Sequence, residues 1–403
     1  MQDYYGVFPW STNWCIEENK AWFVLGMQKI LCCLDLNAGT CESVIYIPDT
    51  FSSTYRFITG CVICDNDIYC IPDNGRNIWI YSKDDCRFTN IEVINPYKLR
   101  LEIYDYWKYE GKIFAVSIGL KQIIEINTKE KRIDNYYEIC NEDSIARSVK
   151  VGEMIYTLSL TSARIYEFNL ISKSIVESSL PKVDKIFNTI CFNGEEVWLS
   201  GFYKEIYVWN KEKNIVRILD HFPKNFGVYN FEEDTDGKVN CTMNPYQLPA
   251  FLYTILVDKY IWFVPFQTNQ IIYADIKSYQ LYEFKIEEEI ENKESLLNRI
   301  NFRSKYSLEY IKDNRYIGLF SFKNNCILEI DTVELKYKWC NYRFDKNCLE
   351  QYLKLLNYTL HEGDVFEREI YSKLMLFKKQ DKFDKNKRCI GCDIYNETVR
   401  NIM

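Results

Sequence analysis

Histidine is nearly missing from this 403-residue chain, which has only His221 and His361. Neither falls on the repeated strands described below, so a Ser–His–Asp or Cys–His device is not expected. Glycine and proline are sparse as well, at 15 and 9, and no GxGxxG or GxxxxGK run occurs, which removes the loops that cradle phosphates. The 50 Lys and Arg are outnumbered by 57 Asp and Glu, for a net charge of −7, so the basic field of a nucleic-acid binder is lacking. No apolar run approaches the ~18 residues of a membrane span. Residues 1–6 (MQDYYG) carry no basic, apolar leader, so the chain reads as a cytoplasmic protein with no membrane partner. The cysteines agree, because Cys15, Cys61, Cys70, Cys191 and Cys326 sit in strand positions where a free thiol acts as a small hydrophobe.

What the chain does have is one short phrase repeated seven times: an apolar strand carrying an aromatic, a polar turn, then a second apolar strand ending in Asp, Asn or Ser. The copies are Trp22 to Asp35, Tyr69 to Ser82, Phe114 to Asn127, Tyr156 to Asn169, Trp198 to Asn210, Trp262 to Asp275 and, more loosely, Ile317 to Asp331. The step from first residue to polar anchor is 13 in five copies, 12 in the Trp198 copy and 14 in the Ile317 copy. Anchors follow one another at 47, 45, 42, 41, 65 and 56 residues, against the roughly 40–50 of a four-stranded propeller blade. The two long intervals therefore mark blades with inserts.

Within a copy the chemistry alternates at period two. Ile155-Tyr156-Thr157-Leu158-Ser159 and Arg164-Ile165-Tyr166-Glu167-Phe168-Asn169 interleave β-branched and aromatic residues with polar ones, the pattern of a hairpin rather than of paired helices. A further short apolar run precedes each hairpin and another follows it, giving four strands per unit. Such units cannot bury both faces alone and must stack on their neighbours. The expected fold is all-β: a seven-bladed β-propeller over residues 11–345, with blades at 11–48, 56–95, 103–140, 146–181, 187–223, 250–287 and 305–345. Residues 346–403 read as a short helical C-terminal extension, with Leu349, Tyr352, Leu353, Leu355 and Leu356 at helical spacing.

This pattern resembles the β-propeller repeat families of the Kelch, WD-repeat and NHL kind. The likeness is one of architecture: the Gly-His to Trp-Asp pair of WD repeats and the double glycine of Kelch are both missing, and no family's catalytic residues map onto this sequence. It looks like a bacterial-type propeller outside those families, and such rings usually serve as binding platforms. The resemblance therefore implies a binding or scaffolding module.

In a propeller the innermost strand of each blade begins at one mouth of the central channel, where ligands dock on a rigid scaffold. Residues at those starts are Asn13 and Trp14, Arg56, Tyr104 and Asp105, Arg147, Asn188, Tyr253 and Tyr306. Arginine forks pair carboxylates bidentately and tyrosine supplies flat contact area, so the set suits a protein, peptide or polar small-molecule ligand bearing carboxylates. The alternative is a propeller enzyme, a lyase or glycoside-active, working with channel carboxylates and arginines. Replacing Arg56 and Arg147 by Ala is expected to abolish binding with little change in melting temperature.

Metals and cofactors are not expected. Cys61 and Cys64 would point to opposite faces of one strand, and Cys389 with Cys392 supplies only half of a closed zinc site. The insert at 224–249, with its aromatics and acids, is placed to cover one mouth of the ring, and Ile286 to Ser304 reads as a short surface helix. Tyr4 to Phe8 is expected to seal the last blade. The basic run Lys378 to Arg388 reads as a solvated linker.

Overall fold

The protein is a seven-bladed β-propeller. Its computed structural model describes residues 11–25, 28–48, 58–95, 100–233, 239–243, 249–287, 305–321, 324 and 326–355. Blades one to seven have innermost strands Thr12–Glu17, Ile58–Cys64, Ile103–Tyr109, Ile145–Val151, Phe187–Phe192, Phe251–Val257 and Tyr306–Lys312. Each innermost strand pairs antiparallel with the next, out to a fourth strand at the rim.

The repeated anchor has a direct physical cause. It ends the third strand, and its side-chain oxygen accepts backbone N–H groups two and three residues on, holding the turn into the fourth strand. Asp35 Oδ1 takes Asn37 and Ala38 at 2.8 and 2.9 Å, Asn169 Oδ1 takes Ile171 and Ser172 at 2.8 and 2.9 Å, and Asp331 Oδ1 takes Val333 and Glu334 at 3.0 and 3.1 Å. Asn127 and Asp275 do the same. Only a short side chain with an acceptor near the backbone can do this. Asn169→Ala should therefore cost about 0.5–1.5 kcal/mol per hydrogen bond lost, read as a lower urea midpoint with an unchanged slope; an unmoved midpoint would show that the turn holds without its anchor.

The core lies between blades. One cluster fills each of the seven seams, for example Phe114, Val116 and Ile123 of blade three against Ile155, Tyr166 and Phe168 of blade four. Trp198 of blade five meets Phe251, Ile261 and Phe263 of blade six, and Trp262 of blade six meets Ile317 and Leu328 of blade seven. The phrase's aromatic is thus the residue that bridges to a neighbouring blade, which is why it recurs.

Opposite the strand starts, a line of cations links successive blades. Lys83 of blade two reaches Glu17 of blade one at 2.6 Å, Lys131 of blade three reaches Asp67 of blade two at 2.7 Å, and Lys173 of blade four reaches Glu125 of blade three at 3.5 Å. Lys211 of blade five pairs with Glu167 of blade four.

Ring closure is built from the C-terminal side. Residues Arg343–Phe344 leave blade seven and pair in parallel with Thr40 and Cys41 on the outer strand of blade one, making that sheet five-stranded. The helix Lys346–Leu355 follows, with Leu349 and Tyr352 buried and Tyr352 stacked on Phe344 at 5.1 Å. Tyr4 to Phe8, the surface helix read at 286–304 beyond residue 287, and the chain after 355 lie outside the described residues.

Candidate functional site

All seven innermost strands break register with their neighbours. The residues left unpaired are Asn13 and Trp14 in blade one, Thr59 in blade two, Tyr104 in blade three, and Ala146 with Arg147 in blade four. In blades five to seven they are Asn188, Leu252 and Glu309. A bulge re-aims a side chain that the pleat would otherwise send into a seam. In six blades it falls directly after the first paired residue, at the mouth; in blade seven it lies two residues deeper.

That offset accounts for one candidate that does not line the channel. Tyr306 takes the position held by Ile103, Phe187 and Phe251 in other blades, and it is buried in the seam between blades six and seven. Arg56 lies outside the described residues. Asn13, Tyr104, Arg147 and Asn188 sit on bulges and are half-buried, while Asp105 and Tyr253 directly follow them. Asn13 adopts a left-handed φ of 53°, and Gly60 of blade two passes so close that a Cβ there would lie 2.7 Å from the Asn13 Cβ.

Three blades converge on Arg147. Its guanidinium is 2.8 Å from Asp105 Oδ1 of blade three, 5.9 Å from the Tyr104 ring centre and 4.8 Å from that of Tyr253 in blade six. Asp105 Oδ2 accepts the Ser148 backbone N–H at 2.7 Å, fixing the carboxylate. Burial pushes the Asp105 carboxyl above its usual range, against the opposing pull of Arg147 and the Ser148 amide. Arg147 keeps 22% of its side chain exposed, so a guanidinium flanked by two aromatic faces still presents donors to the channel. Because it is also half of a buried pair, its removal carries a stability cost that the sequence did not reveal.

Behind this cluster, residues shortly after the bulges of blades four, five and six make buried hydroxyl contacts. Thr189 Oγ1 meets both Ser200 Oγ and Thr254 Oγ1 at 2.6 Å, tying blade five to blade six, and Ser148 Oγ donates to Thr157 Oγ1 at 3.1 Å. Alternation of Ser and Thr with apolar residues in these strands was the available signal. Glu309 was missed; the lone acid in the apolar run Tyr306–Lys312 was its only mark.

The insert reaches the same end of the ring. Its hairpin, Tyr229–Glu233 against Val239–Met243, is rooted on the loop between the second and third strands of blade six. Val228 bridges Thr268, and the Tyr229 N–H donates to the Gln267 carbonyl at 2.7 Å. Among the described residues no group of three or more His, Cys, Asp or Glu is arranged to hold a metal ion.

No known family model matches the sequence, and no curated protein matches it. Solved structures do share the fold. A streptogramin B lyase superposes with a TM-score of 0.53 at 14% identity, over 83% of this chain and 94% of the other. Virginiamycin B lyase from Staphylococcus aureus gives 0.52 at 14%, over 79% and 92%. The RRP9 WD40 repeats give 0.51 at 10%, over 77% and 87%. At such identities the likeness establishes the propeller and nothing finer.

Proposed function

We propose that this propeller is a cytoplasmic binding module that takes a carboxylate-bearing peptide or polar ligand at the mouth where the innermost strands begin, with Arg147 as its anchor. The observation that carries the reading is the Arg147 guanidinium, aimed into the channel by a bulge and set between Tyr104 and Tyr253, as a bidentate carboxylate contact with aromatic walls requires. WD40 propellers among the structural neighbours support a protein or peptide partner. Thirteen cysteines of the described residues are free thiols, which supports a reducing compartment. Arg56 would add a second cation at this mouth.

A lyase reading has less behind it. One neighbouring structure is a catalytically inactive virginiamycin B lyase in which a histidine is replaced by alanine. In this chain His221 is 98% exposed in the connection after blade five, and His361 lies outside the described residues.

The test is titration calorimetry with a peptide panel carrying free or amidated C-termini, on the wild type and on an R147Q/D105N variant that removes both charges, Asn keeping the shape of Asp and Gln part of the Arg stem. Binding that requires the free carboxylate and weakens at least about tenfold in the variant supports the site, the loss of one charge-assisted contact being worth about 1.5–3 kcal/mol. Equal affinity in the two proteins would move the site to the insert or elsewhere.

A further inference from the structure

Glu309 lies in the blade-seven bulge with 1% of its surface exposed, and its partners belong to the opposite end of the ring's closure. Ser11 Oγ, just ahead of the first strand of blade one, donates to Glu309 Oε2 at 3.1 Å, across 298 residues of sequence. The Trp14 indole N–H donates to Ser11 Oγ at 2.6 Å, and its ring lies 4.9 Å from Phe23 and 5.4 Å from Tyr310. Glu309 Oε1 has no hydrogen-bond partner among the described residues.

We propose that Glu309 is a proton-operated latch on the channel side of the ring closure: as the un-ionised acid it joins the last blade to the first, and on losing its proton it loosens that seam. A buried carboxylate is tolerated when a cation or several donors surround it, as Lys112, Tyr137 and Asn135 surround Glu125. Glu309 meets hydroxyls and an indole instead.

Among the described residues, charged and titratable groups on the elements packed around it are engaged elsewhere. On its own strand and the approach to it, the Lys305 ammonium donates to the Asn269 carbonyl and the Tyr310 hydroxyl to Glu329. On blade one, Cys15 faces Cys61 and Glu17 holds Lys83. On blade six, Tyr253 lies against Arg147 and Tyr260 against Tyr273, and on the adjacent strand of blade seven Tyr316 lies under Arg315.

Burial raises the acid's proton affinity well above its ordinary value of 4.5, and the nearby polar groups of Ser11, Ser307 and Trp14 only partly offset this. An acid that holds its proton more tightly when folded stabilises the fold fully below its unfolded value and loses that contribution as pH rises through the folded value. The outer side of the closure, where residues 343–344 pair with blade one, has no such group in its ladder, so the loosening is local to the channel.

The experiment is hydrogen exchange on the full chain between roughly pH 5 and 9, corrected for intrinsic rates, in wild type and Glu309→Gln. Glutamine keeps the oxygen that accepts from Ser11 and places a neutral donor where the acid carries its proton. In the wild type the opening constant of Thr12–Glu17 and Tyr306–Lys312 should rise with pH, by up to about tenfold per unit, while that of Ile145–Val151 stays level. In Glu309→Gln the seam strands should stay protected throughout. A wild-type seam without a pH slope of its own, a slope shared by blade four, or a glutamine variant that keeps the slope or is unprotected at the acid end would each overturn the proposal.

Discussion

Trp198→Ala should lower stability by about 3–5 kcal/mol, the cost of emptying a fully buried large aromatic site. The side chain is enclosed between blades five and six by Val208, Phe251, Ile261 and Phe263, with Tyr279 stacked on it at 5.9 Å. The four strand residues among these cannot collapse inward without breaking their own strand pairing, so the cavity persists. Its indole N–H has no hydrogen-bond partner among the described residues, so Trp198→Phe should cost much less than the alanine change. Urea unfolding of the three proteins checks both statements. Similar losses for Ala and Phe would place the energy in the indole nitrogen instead of the packing.

Arg147→Ala on its own should lose about 3 kcal/mol, at the low end of the roughly 3–5 kcal/mol for breaking a buried pair, because Arg147 is 22% and Asp105 10% exposed. Asp105 would then lose its counter-charge and keep the Ser148 amide as donor, and its carboxyl, already raised by burial, would rise further. With its folded value above its unfolded one, this variant should become less stable as pH increases. Adding Asp105→Asn should restore most of the loss and flatten that dependence. A double variant as unstable as the single one would mean that Arg147 acts through packing against Tyr104 and Tyr253.

Much of the ring was legible because its repeating parts obey local rules. An Asp, Asn or Ser that caps a turn and an aromatic that bridges a seam each leave a mark at fixed spacing, so seven phrases became seven blades. The channel was legible only in part, since a register break leaves no residue signature. Arg147, Asp105, Tyr104 and Tyr253 meet because three separate bulges turn toward one axis, whereas Tyr306, three residues before the displaced bulge residue Glu309 of blade seven, turns into a seam. Ring closure was hidden for another reason. A two-residue parallel pairing at Arg343–Phe344 has no periodicity to read, and its partner strand is about 300 residues away in sequence.

Four lysines that link successive blades reach backward, from Lys83 to Glu17, Lys131 to Asp67, Lys173 to Glu125 and Lys211 to Glu167. On the ribosome each blade therefore emerges after the surface it docks on, and each new lysine finds its acid already in place. A blade of about 45 residues takes roughly 2–9 s to synthesise, long against the microseconds in which a hairpin forms. Assembly then proceeds as an ordered stacking, one sheet onto the last, and the strand that seals the circle emerges only after all seven blades.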